Sequence, residues 1–458
     1  MNIKLQDYQK NIINHINKTD KKGLLLYHNI LDDTIMTSLL SSITILEKKK
    51  MNISKKMTKT TGKDILIITS SINIFRYIKY IKDLKLDLKN FEFLNYKQFN
   101  NFTRANSNYC KNKIVVLDKV HYYRIPNLYT HSIIEALSKS YFNILTTTFL
   151  FINNLEDIIT VIAILHRINW KDAKELFLNS KNSEYKFKLI FQGFVSYHTL
   201  TPSEQKLQLK LYENIIQLKM DEIEQLEYSK IEHKFLELKN SEEYKDNNLK
   251  YISDFNSDIK KNIVHSSKHK WILTKIQENV ELGEKTIIYL NRETQDENLI
   301  LLLQENNIRF IQIASSMKYD QQKDLVNKFN NLQKQSVLIL YKLNTDISYF
   351  LPNIRTLIVE EPQINSLEVL SIIDDIYSSF KYKKKSSSGK KGSLTKRLDI
   401  FTLVSKKVSF KKPGILSLLK GFFYGTDNKT VDEMIQSKNE SNKLSIKNFR
   451  KKLRHYSI

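Results

Sequence analysis

Apolar residues in the first 165 positions gather in short unbroken runs, separated by longer stretches with helical spacing. Residues 23–27 (GLLLY), 64–69 (DILIIT), 91–95, 113–117 and 143–147 read as strands. Residues 34–48 and 72–84 carry apolar positions three and four apart and read as helices. A strand with apolar side chains at consecutive positions must bury both faces, because successive side chains point to opposite sides. Such strands alternating with helices predict a parallel sheet covered on both faces.

The alternation then stops and restarts. Residues 203–253 are rich in Glu, Lys, Leu and Gln and contain neither Gly nor Pro. They predict a long helix or helical hairpin that bridges two lobes. An independent coiled coil fits less well, because heptads are not sustained. Residues 285–290 (KTIIYL), 309–313 (RFIQI), 336–340 (SVLIL), 355–359 (RTLIV) and 398–404 (LDIFTLV) read as further strands. Helices are expected over 293–306 and 321–330, and a basic amphipathic helix from 430 onward. The organisation expected is a first α/β domain over 1–170, a helical bridge over 171–265, a second α/β domain over 266–410 and a basic helical extension over 411–458.

Composition supports a folded chain. Of 458 residues 41% are hydrophobic and 11% aromatic, and 9 Gly with 5 Pro leave room for many helices. The 73 Lys and Arg against 49 Asp and Glu give a net charge of +24. Two readings are open: drift toward Lys, Asn and Ile in an AT-rich genome, or a polyanionic partner such as nucleic acid. Residues 381–397 (KYKKKSSSGKKGSLTKR) are basic without an acidic residue. They form either a solvated loop or a phosphate-contacting one, with Lys383, Lys384, Lys385, Lys390 and Lys391 as candidates. Arg450 and Lys451 in the terminal helix are candidates of the same kind.

Other chemistries are not indicated. Cys110 is alone, so no intrachain disulfide or Cys-based zinc site is expected. The 10 His show no HExxH spacing. Residues 1–9 (MNIKLQDYQ) lack the apolar centre of an export signal, and no run approaches the roughly 18 apolar residues of a membrane span. A reducing, cytosolic setting without a membrane partner is the expectation.

The sharpest chemical signal lies at residues 113–124 (KIVVLDKVHYYR), where a strand runs into Asp118 and His121 follows. Around it stand LQDYQ at 5–9, GLLLYH at 23–28, NILTTTF at 143–149, NNLEDI at 153–158 and FQGFVSY at 191–197 with Pro202. Further on come SSK at 266–268, GEKTIIY at 283–289, Glu361-Pro362 with Asn365, and TVDEM at 430–434. In this order the segments resemble superfamily 2 helicase-type ATPases. The branch they resemble is that of large cytoplasmic DNA viruses, which includes the poxvirus early transcription factor small subunit and nucleoside triphosphatase I.

The resemblance implies two tandem RecA-like domains. It makes Asp118 the magnesium-binding aspartate and His121 the coupling histidine of an Asp-Glu-x-His motif. Lys119 stands where the family has the glutamate that handles the attacking water, a loss often worth 10²–10⁴ in rate. Where the family has Gly-Ser-Gly-Lys-Thr, this chain has Leu31, Asp32, Asp33 and Thr34. A phosphate loop needs glycines and a lysine; here Asp32 or Asp33 is expected to cap the next helix instead. Thr146, Thr147 and Thr148 match the segment that links nucleotide to nucleic acid, with Phe149 in place of its proline. No arginine occurs from Thr356 to Lys396, where the family carries the arginines that stabilise transferring phosphate.

The expectation is a helicase-like protein with a degenerate ATPase site and no cofactor, or ATP and magnesium if activity survives. It would bind nucleic acid, DNA before RNA, as part of a viral transcription or packaging machine. A viral RNA polymerase or transcription-factor subunit is the expected protein partner, in the host cytoplasm and the virion. A weak nucleic-acid-dependent ATPase and a structural partner of an active paralogue are the alternatives.

Overall fold

The apolar runs of the sequence become buried strands of two parallel sheets. The structure is a computed structural model. It describes residues 5–28, 31–54, 63–123, 130–147, 155–180, 183–198, 210–239, 266–290, 297–314, 316–332, 336–341, 351, 354–362, 369, 372–373, 375–376, 379, 397–406 and 430–458. The chain divides into two units. The first comprises Met1–Leu207, Asp346–Ser348 and Asn442–Ile458; the second comprises Gln208–Thr345 and Tyr349–Ser441.

In the first unit the order is α1 (Asp7–Lys18), β1 (Gly23–His28), α2 (Leu31–Ser54), β2 (Ile65–Ile68), α3 (Ser71–Asp83), β3 (Phe91–Leu94) and α4 (Tyr96–Ala105). There follow β4 (Ile114–Leu117), α5 (Thr130–Ser138), β5 (Phe142–Thr147), α6 (Ile159–His166), α7 (Trp170–Ser180), α8 (Glu184–Phe191) and β6 (Val195–His198). The strands form one sheet in the order β3-β2-β4-β5-β1-β6, with every pairing parallel. The two-residue alternation of each strand is visible in the cores. Leu24, Leu26, Ile65, Ile67, Ile114 and Val116 pack on one face with Ile12, Leu39 and Tyr77. Leu25, Tyr27, Leu66, Ile68, Val115 and Leu117 pack on the other with Phe99, Ile162 and Phe191. Both faces being covered is why these strands read as unbroken apolar runs.

The second unit runs β7 (Lys210–Lys219), α9 (Glu222–Lys239), α10 (Ser267–Glu281), β8 (Lys285–Leu290), α11 (Glu297–Glu305) and β9 (Phe310–Ile313). It continues with α12 (Tyr319–Asn331), β10 (Val337–Tyr341), β11 (Ile354–Val359), β12 (Arg397–Lys406) and the start of α13 (Val431–His455), whose residues from Asn442 onward belong to the first unit. Its sheet is again parallel, in the order β7-β12-β11-β8-β10-β9. The predicted fold class is therefore observed: two tandem RecA-like α/β units, each a parallel sheet flanked by helices, with a helix at the C-terminal end.

One expectation is corrected. The helix over 203–253 is interrupted by β7, whose residues all pair with β12, from Lys210 opposite Arg397 to Lys219 opposite Lys406. The sequence KLYENIIQLK satisfies both periods, since Leu211, Ile215 and Leu218 are spaced for a helix while Ile216 and Leu218 alternate as a strand. The deciding factor is tertiary: Ile216 and Leu218 pack on the core built around Ile288, Ile358 and Leu403. Helix returns only at α9.

A buried charge network joins the start of α13 to the sheet of the second unit. Thr430 and Glu433 cap α13 reciprocally, with Glu433 N–H donating to Thr430 Oγ1 at 3.1 Å and Thr430 N–H to Glu433 Oε2 at 2.8 Å. Asp432 accepts from Lys268 Nζ at 2.7 Å and from the Ser405 N–H at 3.0 Å. Burial opposes the charge on Lys268. The carboxylates of Asp432, Glu361 and Glu360 outweigh it and hold the pKa above the ordinary lysine value. Removing one member of such a pair strands the other in a dry site. Asp432→Ala is expected to lower the stability of this unit by about 3–5 kcal/mol. Urea unfolding of a Trp170→Phe background, in which Trp271 alone reports, measures it. The contribution is full below the unfolded lysine pKa and is lost only as pH rises through the higher folded value.

Candidate functional site

In a parallel sheet all strands end on one edge, and loops leaving that edge are the usual ligand-binding region. The register of the first sheet fixes which residues meet there. Ile68 lies opposite Leu117, and Leu117 opposite Leu145. The next residues of the three strands, Thr69, Asp118 and Thr146, therefore form a row across the sheet. Thr69 Oγ1 donates to Asp118 Oδ2 at 2.6 Å, and Thr146 Oγ1 donates to Asp118 Oδ1 at 2.6 Å. Asn73, in the first turn of α3, adds Nδ2 to Oδ2 at 3.3 Å. An ionised carboxylate has about four acceptor sites, so three hydrogen bonds occupy most of its capacity. The Asp118 backbone is held as well: its N–H donates to Ile68 O at 2.9 Å, and Tyr96 OH donates to its carbonyl at 3.0 Å.

Lys119 turns the chain. Its φ of 52° lies in the left-handed region, which is unfavourable for a side chain with a Cβ by roughly 1–2 kcal/mol. The conformation is held by its N–H, which donates to Thr146 Oγ1 at 3.3 Å, and by its carbonyl, which accepts from Tyr122 N–H at 3.0 Å. Thr146 Oγ1 thus serves as donor to one residue and acceptor from the next. The turn Val120–Tyr123 follows and places His121 Nδ1 2.7 Å from Thr147 Oγ1. Asp118, Lys119 and His121 are all buried. Tyr77 lies in the same interior, and burial together with the Asp118 charge pushes its hydroxyl pKa well above the usual tyrosine value.

Thr34, Ile35, Asn73, Asp118, Lys119, Thr146 and Thr147 line one cavity of about 10 Å³. That is about the volume one water needs, far below the roughly 300–1,000 Å³ of a ligand pocket. Thr34 and Ile35 come from α2, which begins at Leu31. Asp32 and Asp33 therefore lie inside its first turn and not at the capping position before it.

A second polar cluster adjoins the end of β1. His28 is 0% exposed, and its Nε2 lies 3.0 Å from Ser196 Oγ on β6. Tyr8 stacks on His198 with ring centroids 3.9 Å apart and meets His28 edge-on at 5.3 Å. Burial first, and the neighbouring His198 second, push the His28 pKa down to about 3.

The structure thus gathers Thr34, Asp118, Lys119, His121, Thr146 and Thr147 into one site, together with Thr69, Asn73 and Tyr96, which sequence reasoning did not single out. The signal available for Thr69 was a hydroxyl residue ending an apolar run, one strand from the aspartate. Arg450 and Lys451 lie elsewhere in the unit. Arg450 sets its guanidinium 5.9 Å from the Tyr27 ring centroid, while burial pushes the Tyr27 hydroxyl up to about 12 against the pull of that charge. Lys451 is exposed. Thr148, Lys383, Lys384, Lys385, Lys390 and Lys391 lie outside the described residues, as do the side chains of Leu31, Asp32 and Asp33. Glu360 and Glu361, at the end of β11, are buried. No group of His, Cys, Asp and Glu able to hold a metal ion occurs among the described residues, and no described helix is long and apolar enough to cross a membrane.

No protein-family model matches the chain, and no curated protein is similar to it in sequence. Among solved structures, it is similar to the SWI2/SNF2 ATPase core of Sulfolobus solfataricus in complex with dsDNA. That match has 15% identity over 98% of this chain and 96% of the other, with a TM-score of 0.35. It is also similar to the helicase domain of Pyrococcus furiosus Hef, at 12% identity over 88% of this chain and 96% of the other, with a TM-score of 0.47. Both neighbours are too distant for residue roles to be carried across.

Two outcomes follow from this geometry. Asp118→Ala leaves two buried hydroxyls and an amide without their acceptor, at about 1–3 kcal/mol per unsatisfied group. The first unit should lose several kcal/mol in urea unfolding followed by Trp170 in a Trp271→Phe background. The second concerns acid. Unfolded His28 binds a proton near pH 6.5 and the folded residue does not until about pH 3. Folding stability therefore falls as pH drops through that window, by about 1.4 kcal/mol per unit. His28→Gln should flatten the loss between pH 7 and 5 by about 2 kcal/mol. It should not abolish the loss, because burial lowers His15 and His166 in the same direction.

Proposed function

We propose that the chain is a helicase-like, nucleic-acid-binding protein that has lost nucleotide hydrolysis and works as a subunit of a viral transcription or packaging machine. The observation that carries the loss of hydrolysis is the state of Asp118. Its carboxylate is occupied by Thr69, Thr146 and Asn73 in a cavity of about 10 Å³ that Lys119 also lines. A magnesium nucleotide needs a free carboxylate, a loop of backbone N–H groups with a lysine for the β/γ-phosphates, and room. The residues present do not fit it. A lysine lining the same small cavity as the carboxylate brings positive charge that opposes a divalent cation there. Lys119 cannot act as a base toward water while it is protonated.

Nucleic-acid binding is supported by the net charge of +24 on a chain of this fold. DNA is favoured over RNA, and the viral setting is favoured, by the resemblance of the sequence segments to the poxvirus-type branch. On that reading the partner is a viral RNA polymerase or transcription-factor subunit, met in the cytoplasm of the infected cell and carried into the virion.

Titration of a fluorescent ATP analogue with magnesium, beside phosphate release with and without DNA, tests the proposal. No submillimolar binding and no DNA-stimulated release are expected, and Lys119→Glu alone should restore neither. DNA binding should weaken steeply as salt rises. Submillimolar nucleotide binding with DNA-stimulated release would show a working ATPase. Absence of salt-dependent DNA binding would leave a structural partner of another protein as the better account.

A further inference from the structure

The terminal turn of α13 builds a groove on the first unit. It has a volume of about 730 Å³ and is lined by Glu184, Phe187, Lys451, Lys452, Arg454, His455 and Tyr456. We infer that this groove is a binding site for single-stranded nucleic acid, with phosphates held by Lys451, Lys452 and Arg454 and a base laid against Tyr456. The inference deepens the nucleic-acid reading above and rests on it.

Three observations carry it. The first is uncompensated charge. Many lysines of this unit are engaged: Lys49 with Asp64, Lys113 with Glu92, Lys139 with Glu135, and Lys48 on three backbone carbonyls. Lys451, Lys452 and Arg454 make no ion pair among the described residues. The groove's one carboxylate, Glu184, accepts from Tyr456 OH at 2.7 Å. Cations are common at helix C-termini because they complement the dipole. Here, however, two of the last carbonyls already have backbone partners: Tyr456 N–H donates to Leu453 O at 3.2 Å and Ser457 N–H to Arg454 O at 3.3 Å. Lys452 Nζ lies 5.9 Å from the Phe187 ring centroid, and no carboxylate neutralises the three cations, so a predominantly positive concave surface concentrates the field.

The second observation is preorganisation. Leu453 is 0% exposed, and Phe449 packs against Phe187 and Phe191 with ring centroids 5.0 and 5.7 Å apart. Beyond them the chain is fastened to β6. Tyr197 N–H donates to Ser457 Oγ at 2.8 Å and Ile458 N–H to Val195 O at 2.9 Å. The backbone that carries the groove is held before a ligand arrives, so the ordering cost is confined to its exposed side chains.

The third observation is aromatic surface beside the charge. Tyr456 is part-exposed and carries His455 against it, ring centroids 5.0 Å apart. Tyr185, on the adjoining α8, is 71% exposed. Ring faces next to cations suit unpaired bases, whose π faces a duplex would hide. The volume lies within the roughly 300–1,000 Å³ of sites that enclose a small ligand or a short segment of one.

Fluorescence anisotropy of labelled oligothymidylate with the full chain, over a salt series, tests this. In the triple variant Lys451→Ala, Lys452→Ala, Arg454→Ala the slope of log affinity against log salt should fall by about two, at roughly 0.7 per phosphate contact. The charge-keeping Lys451→Arg, Lys452→Arg, Arg454→Lys variant should keep the slope. Tyr456→Ala should weaken binding by about tenfold or more at one salt concentration. Tyr456→Phe, which loses only the bond to Glu184, should weaken it little. A control triple, Lys82→Ala, Lys89→Ala, Lys111→Ala, should match the parent. Parent binding with an unchanged slope in the groove variant would overturn the groove and leave nucleic-acid binding standing. No salt-dependent binding by the parent would overturn both. A duplex bound as tightly as the single strand, with equal losses in the variants, would overturn the single-strand assignment.

Discussion

The first unit is organised by a geometric constraint of parallel sheets. All strands deliver their ends to one edge, so polar groups at those ends must be satisfied there or by a ligand. In this chain the register sets Thr69, Asp118 and Thr146 side by side, and the two hydroxyls close on the carboxylate. The left-handed turn at Lys119, the position of His121 and the anchoring of Tyr96 are built outward from that row. The site is therefore a row of polar groups that satisfy one another. Such a row specifies how the strands align, because a one-residue slip of any strand would strand a buried hydroxyl.

Much of the fold was legible because the strands are buried on both faces. Runs such as LLL in β1 and IVVL in β4 leave no amphipathic ambiguity, and their alternate side chains feed two separate cores. The failure at β7 has the opposite cause. It is an edge strand with Leu211, Tyr212 and Ile215 at least 41% exposed, so its apolar positions are spread over both faces and mimic helical spacing. Of the candidate site, Asp118, Lys119, His121 and the threonines of β5 could be named because the strand-end segments that hold them resemble helicase motifs. Asn73 and Tyr96 could not. They reach Asp118 from the starts of helices, and nothing in the local sequence marks which helix start faces a strand end.

Charge is distributed differently from what the sequence suggested. Arg450, one residue before the groove, is drawn inward onto Tyr27, while Lys451, Lys452 and Arg454 remain outward. The difference follows from helical geometry, since neighbours in sequence point about 100° apart around a helix. A basic helix is thus two surfaces. One sets the helix into its unit through Ile446, Phe449 and Leu453, and the other carries charge to solvent.

The attachment of Phe449 and Leu453 to the first core has a consequence for how the chain is made. Phe177, Phe187 and Phe191 leave the ribosome long before Phe449, and the sequence of the whole second unit lies between. At about 5–20 residues per second the earlier aromatics wait roughly 10–50 s for the side chain that covers them. During that interval the nascent first unit presents an apolar surface with no native cover. Synthesis order thus separates these aromatics from their cover by the length of the second unit, and the core of the first unit closes only after that unit has been made.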